Sequence, residues 1–244
     1  MEPDDRRGRR VGRVRALWRY PVKSMAAEPL VETEVSWNGF AGDRRWAFVR
    51  DSKARSGFPW FTVRERNDML HFEPSFSDAS RPDASATVVR TPTGRELDVW
   101  DPELAAELGG GLRAHKNDCG VFDSMALSLV TTQTVTALGE LVGRPLDVQR
   151  FRPNLLVEAD DAEPYAEEAW VGSTLRIGAA RMRVDQRDQR CVMINVDPVT
   201  AERDPAVLRA VAAHRQTCVG VYGSTVQPGR VGLDDEVWLE PAGS

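Results

Sequence analysis

One cysteine of this chain stands among cations. Across residues 185–198, DQRDQRCVMINVDP, charged and amide side chains run up to Cys191, and the apolar Val192, Met193 and Ile194 follow. Arg187 and Arg190 would favour the thiolate, the form of cysteine that attacks an electrophile or binds a metal. A half-buried cysteine leading into a core strand is the plainer reading, and spacing leaves both open. Cys218, ahead of VGVYG, reads as a small core hydrophobe, and Cys119 beside Gly120 as a loop residue.

A second set of residues has the types that hold an anion. Lys23 and Ser24 lie in YPVKS, Arg44 in GDRRW, Arg64 in FTVRE, and Arg152 and Asn154 in RFRPN, all in strand-like surroundings. Lysine supplies a point charge, arginine forked donors and serine a hydroxyl, which together suit a phosphate. No GxxxxGK[ST] or GxGxxG run occurs, so a phosphate here would be held by side chains. Taken singly, each cation also fits a snorkelling surface residue.

The elements that must position these residues are mostly strands. Up to Trp100 the chain reads as RVRALWRYPV, LVETEVSW, RRWAFVRD, PWFTVRE, MLHFEP, SATVVRTP and ELDVW, parted by Gly- and Pro-containing turns. β-branched and aromatic runs between such breakers predict an antiparallel barrel or sandwich without helix in this half. Asp101 as N-cap and Pro102 then open a short helix that Gly109 to Gly111 would end. MALSLV reads as a strand, and TTQTVTALGELVG as a helix with Val135, Leu138, Leu141 and Val142 on one face. PLDVQRFRPNLLVEA reads as a strand with Pro153 at a bulge or edge. STLRIGAARMRVDQ reads as a hairpin, DPAVLRAVAAHRQ as a helix capped by Asp204, and CVGVYGSTVQPGRV and EVWLE as closing strands. The prediction is a mainly β, β-rich α+β protein. Residues 1–10 would form a flexible basic tail, 11–101 an antiparallel β-barrel-like domain, and 102–244 a second β-barrel domain with a few helices.

Bulk composition narrows the classes. The 244 residues carry a net charge of −5, with 41% hydrophobic and 28% charged residues, as in ordinary globular proteins. An acidic balance argues against a nucleic-acid binder. No apolar run approaches the roughly 20 residues that cross a bilayer, and no signal-peptide core follows the first arginines. The expected location is cytoplasmic, with no membrane partner. Three sparse cysteines and three scattered histidines offer neither a disulfide framework nor a zinc spacing.

In this order, YPVKS with GDRRWAFV, then RFRPNLLVE, EEAWVGSTLRIGAARMRV, RCVMINVDPVT and GVYGSTVQPGRVGLDDEV, resemble the MOSC family, named for the carboxy-terminal domain of molybdenum-cofactor sulfurases. Within that family they are similar to the mitochondrial amidoxime-reducing component and its bacterial counterparts. The resemblance implies molybdenum held by one protein cysteine, Cys191, together with a pyranopterin dithiolene and oxygen ligands. It puts cofactor-binding positions at Lys23, Ser24, Arg44, Arg152 and Asn154, with Arg64, Thr131 and Thr134 as further candidates. The implied reaction reduces small N-hydroxylated substrates such as amidoximes, hydroxylamines or N-hydroxylated base analogues. Electrons would come from a separate ferredoxin, flavin reductase or cytochrome b-type protein, since the chain has no C-x4-C-x2-C run for a [2Fe–2S] cluster. It also has no PLP-binding domain. Relatives often carry a cysteine three residues before the ligand; Asp188 stands there. Asp185, Asp188 and Asp197 all lie near Cys191, and none stands out as the proton donor. The alternatives are a sulfur carrier with a persulfide on Cys191 and a protein that stores or delivers molybdopterin.

Overall fold

The computed structural model describes residues 8–240. Nine strands come first: β1 (Arg9–Arg19), β2 (Glu28–Leu30), β3 (Glu32–Ser36), β4 (Gly39–Phe40), β5 (Trp46–Arg50), β6 (Trp60–Phe61), β7 (Glu73–Phe76), β8 (Thr87–Arg90) and β9 (Glu96–Asp98). Helix α1 (Pro102–Glu107) leads through β10 (Leu112–Lys116) and β11 (Leu127–Thr131) into α2 (Thr132–Val142). β12 (Leu155–Ala159), the hairpin of β13 (Thr174–Ile177) and β14 (Ala180–Gln189), and α3 (Pro205–Arg215) follow. β15 (Cys218–Gln227), β16 (Gly229–Gly232) and β17 (Glu236–Leu239) end the described chain.

The expected mainly β architecture is present, and its centre is a closed seven-stranded barrel. Its order is β12-β11-β15-β14-β13-β17-β1, with β1 pairing back onto β12 and β2 added at one side. β1 can serve β17, β12 and β2 because bulges between Arg10 and Gly12 and between Val14 and Ala16 bend it. Gly12 is required at this crowded bend: a Cβ there would lie 2.4 Å from the Glu158 carbonyl oxygen. Inward residues Val14, Leu17, Leu129, Val157, Leu175, Val184, Val221 and Val237 fill the barrel. Hydrogen bonding between strands crosses residue 101, since β1 belongs to the barrel, β10 pairs with β5, and β16 pairs with β3.

Two further cores flank the barrel. One gathers Val22, Met25, Phe48, Phe61, Phe72, Leu104 and Leu108 under the small sheets of the first hundred residues. The other packs α2 and α3 on the barrel through Leu138, Val207 and Val211, with Phe151 and Ile194 among them. Asp101, Thr131 and Asp204 cap their helices by accepting from Glu103, Thr134 and Ala206 N–H groups.

Four local expectations need correction. Arg9 and Arg10 are in β1, not in a tail, while residues 1–7 lie outside the described residues. The first half has three short 3-10 turns, one of them (Asn67–His71) in place of the start of the MLHFEP strand. The strand expected from PLDVQ is confined to β12, because Asp147 accepts from Gln149 N–H at 2.7 Å and starts a 3-10 turn at Val148–Arg150. No core strand follows Cys191. Val192–Asn195 forms a 3-10 turn that buries Ile194, and Asn195 Oδ1 accepts from Leu208 N–H of α3 at 2.9 Å.

Candidate cofactor site

Ser24, Arg44 and Arg152 are three non-glycine residues with positive φ, at 68°, 51° and 49°, and all three line one cavity. Such residues cost about 1–3 kcal/mol each and persist where their surroundings over-determine them. Backbone bonds provide part of that hold: Lys23 N–H to Trp46 O at 2.7 Å, Arg44 N–H to Tyr20 O at 2.7 Å, and Arg152 N–H to Gln149 O at 3.2 Å. Buried Asp43 ties the segments together. It accepts from Tyr20 N–H at 2.7 Å and from Asn154 Nδ2 at 3.1 Å, and it pairs with Arg44. Both guanidiniums lie over the Tyr20 ring, with Arg44 and Arg152 Cζ atoms 4.5 and 4.1 Å from its centroid.

The cavity measures about 450 Å³, and six of its lining side chains are Lys or Arg against two Asp. Its neighbours come from all three cores: Lys23 and Ser24 follow Val22, Ser128 lies between Leu127 and Leu129, and Phe151 and Ile194 line it directly. Lys23 donates to Val121 O at 3.1 Å and pairs with Asp123. Burial nevertheless lowers the Lys23 ammonium, and burial with the nearby Arg44 brings Arg152 down to about 10. Burial is the main cause of both shifts, and an entering anion would compensate these desolvated charges. Arg152 donates through Nη1 to Met25 O at 2.7 Å, but its Nη2 is buried without a partner, and so is Ser24 Oγ. Leaving a buried polar group unpaired costs about 1–3 kcal/mol.

Cys191 lines the same cavity, half-buried at the end of β14. The arginines adjacent in sequence do not face its sulfur. Arg190 donates to Val219 O at 2.9 and 2.7 Å and to Phe151 O at 2.7 Å, and pairs with Asp188 at 2.6 Å. Arg187 bonds Gln216 and the Arg215 carbonyl and pairs with Glu168. Cys191 has extended backbone, in which successive side chains diverge, so Arg190 turns away from it. The cation at the thiol is Arg64, whose Nη2 stands 3.2 Å from Sγ and 3.3 Å from Asp123 Oδ2. Arg150, also buried, donates to the Ile194 and Asn195 carbonyls at 3.3 and 3.2 Å and fixes the turn that carries Cys191.

The family follows from domain-level comparison. The MOSC domain matches residues 113–238, and the MOSC N-terminal beta barrel domain matches residues 11–106. This chain belongs to the MOSC family. A molybdenum cofactor sulfurase of Danio rerio is 44% identical over 77 residues, which are 31% of this MOSC chain and 9% of the relative's length. The match therefore spans a small part of that relative. The crystal structure of the YUAD protein from Bacillus subtilis shares the fold, with a TM-score of 0.52 and 13% identity over 93% of this chain and 94% of its own. YiiM from Geobacillus stearothermophilus aligns over 49% of this chain and 56% of its own, at 20% identity and a TM-score of 0.39.

The MOSC fold brings Lys23, Ser24, Arg44, Arg64, Arg152, Asn154 and Cys191 to one cavity from segments as distant as residues 23 and 191. Thr131 and Thr134 are not brought there. Their hydroxyls donate to buried Glu167 at 2.8 and 2.9 Å, and Thr131 caps α2. Asn154 reaches the wall, but its amide is engaged: Oδ1 accepts from Ser128 N–H at 3.2 Å, and Nδ2 donates to Trp18 O at 3.2 Å and to Asp43. It positions β11 against β1. Sequence reading missed Asp123, Tyr20 and Asp43 as site residues; Tyr20 and Asp43 stand inside the quoted YPVKS and GDRRW segments, which was the available signal.

A phosphate-bearing pterin fits the groups present, because Ser24 Oγ and Arg152 Nη2, with Arg150 Nε, are unpartnered buried donors on residues that line this cavity. No cluster of three or more His, Cys, Asp or Glu able to hold a metal occurs among the described residues. A metal at Cys191 would therefore depend on ligands brought by the cofactor itself, and a thiolate suits molybdenum's sulfur-rich surroundings.

Proposed function

We propose that this MOSC protein binds a molybdenum–pyranopterin cofactor, with Cys191 as the metal's protein ligand, and reduces small N-hydroxylated compounds. The observation that carries the reading is the presence of unpartnered buried donors, among them Ser24 Oγ and Arg152 Nη2, in the cavity that also holds a thiol beside a guanidinium. Bound there, the group supplies two-electron removal of oxygen from an N–O bond, with electrons from a separate ferredoxin, flavin reductase or cytochrome b-type donor.

The chain's own residues have distinct parts. Arg152, Ser24 and Arg44 hold the phosphate, and the Asp43–Tyr20 frame keeps their donors aimed before anything binds. Arg64, with Nη2 3.2 Å from Sγ, sets a cation beside the Cys191 sulfur. Lys23, locked to Asp123 and Val121 O, keeps a positive charge at the wall. Arg150 fixes the turn after Cys191 so that the sulfur does not drift.

Metal and pterin analysis of protein made in a cofactor-competent host tests the binding. Roughly stoichiometric molybdenum, lost in Cys191→Ser, is the expected result; metal-free protein from that host overturns the reading. Benzamidoxime with a reduced artificial donor then separates turnover from storage or delivery of the cofactor. The partial identity to a molybdenum cofactor sulfurase favours a second reading, in which Cys191 carries a persulfide. Labile sulfur on Cys191 in protein that binds no molybdenum would establish it.

A further inference from the structure

We propose that Asp188 delivers a proton into the cavity during reduction of the N–O bond, a role that rests on the reductase reading above. Asp188 has no exposure to bulk solvent and lines the cavity, so its proton exchanges with substrate or with cavity water. One carboxylate oxygen is fixed: Oδ2 accepts from Ser128 Oγ of β11 at 3.1 Å and pairs with Arg190 Nη2 at 2.6 Å. The other, Oδ1, is buried and makes no well-aligned hydrogen bond, with the Tyr222 hydroxyl as the neighbouring polar group that faces the carboxyl. Arg190 cannot swing off, since its remaining donors are bonded to the Val219 and Phe151 carbonyls.

The other nearby carboxylates are excluded by their partners. Asp123 is paired with Lys23 and Arg64, which outweigh burial and hold it below its ordinary value. Asp197 is paired with Arg150 and accepts two backbone N–H bonds, and it too is lowered. Asp185 accepts from Ser224 at 2.7 Å, pairs with Arg183, and does not line the cavity. Asp188 faces Arg190 from its own segment, Ser128 from β11, Tyr222 from β15 and the more distant Arg44 charge. Burial outweighs these groups and pushes its carboxyl up to about 6, within reach of a proton near neutrality.

An N-hydroxylated substrate takes two electrons, which the separate donor protein would supply through the bound cofactor, and two protons. The N–O bond breaks, the Asp188 proton goes to the departing oxygen, and a second proton arrives from bulk solvent, relayed by cavity water. Water and the reduced nitrogen compound leave, and another solvent proton relayed by cavity water restores Asp188, so two electrons and two solvent protons are consumed per turnover.

Two measurements test this. In cofactor-free protein, carboxyl-carbon NMR with backbone-linked assignment should show Asp188 titrating near pH 6, with no variant required. Titration in the usual aspartate range overturns the proposal. In molybdenum-loaded enzyme, Asp188→Asn should lower kcat for benzamidoxime by about 100-fold or more, leave KM and metal content unchanged, and remove the alkaline limb of the kcat profile. Asp188→Glu should restore part of kcat with a displaced limb. A folded Asp188→Asn enzyme with kcat within threefold of wild type and the same pH profile overturns the proposal while leaving the reductase reading intact. Loaded wild type that never turns over benzamidoxime overturns both.

Discussion

Two buried polar clusters stand beside β11, and they differ in what they leave open. At its carboxy-terminal end, Glu167 accepts from the Thr131 and Thr134 hydroxyls and from Thr131 N–H at 3.3 Å. Tyr165 N–H in turn reaches Thr134 Oγ1 at 2.8 Å. Both threonine hydroxyls and the Glu167 carboxylate are thus met within the chain. Across the cavity wall, Ser24 and Arg152 sit in left-handed backbone, cation stacks on aromatic ring, and Ser24 Oγ, Arg152 Nη2 and Arg150 Nε stay unpaired. Residue types are similar in both places. At Glu167 the donors are met within the chain, whereas on the cavity wall, among cations, they are left open.

Glu167→Ala removes the acceptor of a closed network, so denaturant unfolding should show a loss of about 3 kcal/mol with cofactor retention unchanged. Arg152→Ala should do the reverse. It removes a charge-assisted donor worth about 2 kcal/mol to a bound phosphate, weakening pterin retention by 10-fold or more, and equilibrium unfolding should move little because a poorly compensated buried charge leaves with it. Equal stability losses in the two variants would break the distinction. Ser24→Ala is the finer probe: about 1 kcal/mol of phosphate binding is lost, while the free protein holds or gains stability because an unpaired hydroxyl is gone.

The smallest effect is in pH. Asp188 has a folded-state pKa of about 6 against an ordinary value of 3.8. Its contribution to stability is therefore complete below about pH 4 and is lost as pH rises through about 6. Between pH 5 and 7 wild type should lose about 1 kcal/mol relative to Asp188→Asn, measured as the difference of two urea-unfolding curves. A flat difference would place Asp188 with the satisfied cluster.

Much of the local structure was legible. Asp101, Thr131 and Asp204 sit where capping chemistry places them, and the Gly178-Ala179 turn joins β13 to β14 as the alternation predicts. Misreadings arose where polar side chains redirect an apolar run. Val192, Met193 and Ile194 look like strand, yet Arg150 bonds to the Ile194 and Asn195 carbonyls and Asn195 bonds to α3, so the segment turns. Thr131 and Thr134 had the right chemistry for a ligand wall, but Glu167, more than thirty positions away, claims both hydroxyls.

By itself the sequence determined the mainly β architecture, the helix caps, and the presence of residue types suited to an anion and a soft metal, because these follow from local periodicity and side-chain chemistry. Only the tertiary structure decided which of those groups stay unpaired. It turned Arg187 and Arg190 away from Cys191, set Arg64 against its sulfur, and isolated one carboxylate oxygen of Asp188 at the cavity wall. The physical reason is that a donor is free or engaged according to acceptors contributed by distant segments, and those distances exist only once the barrel has closed.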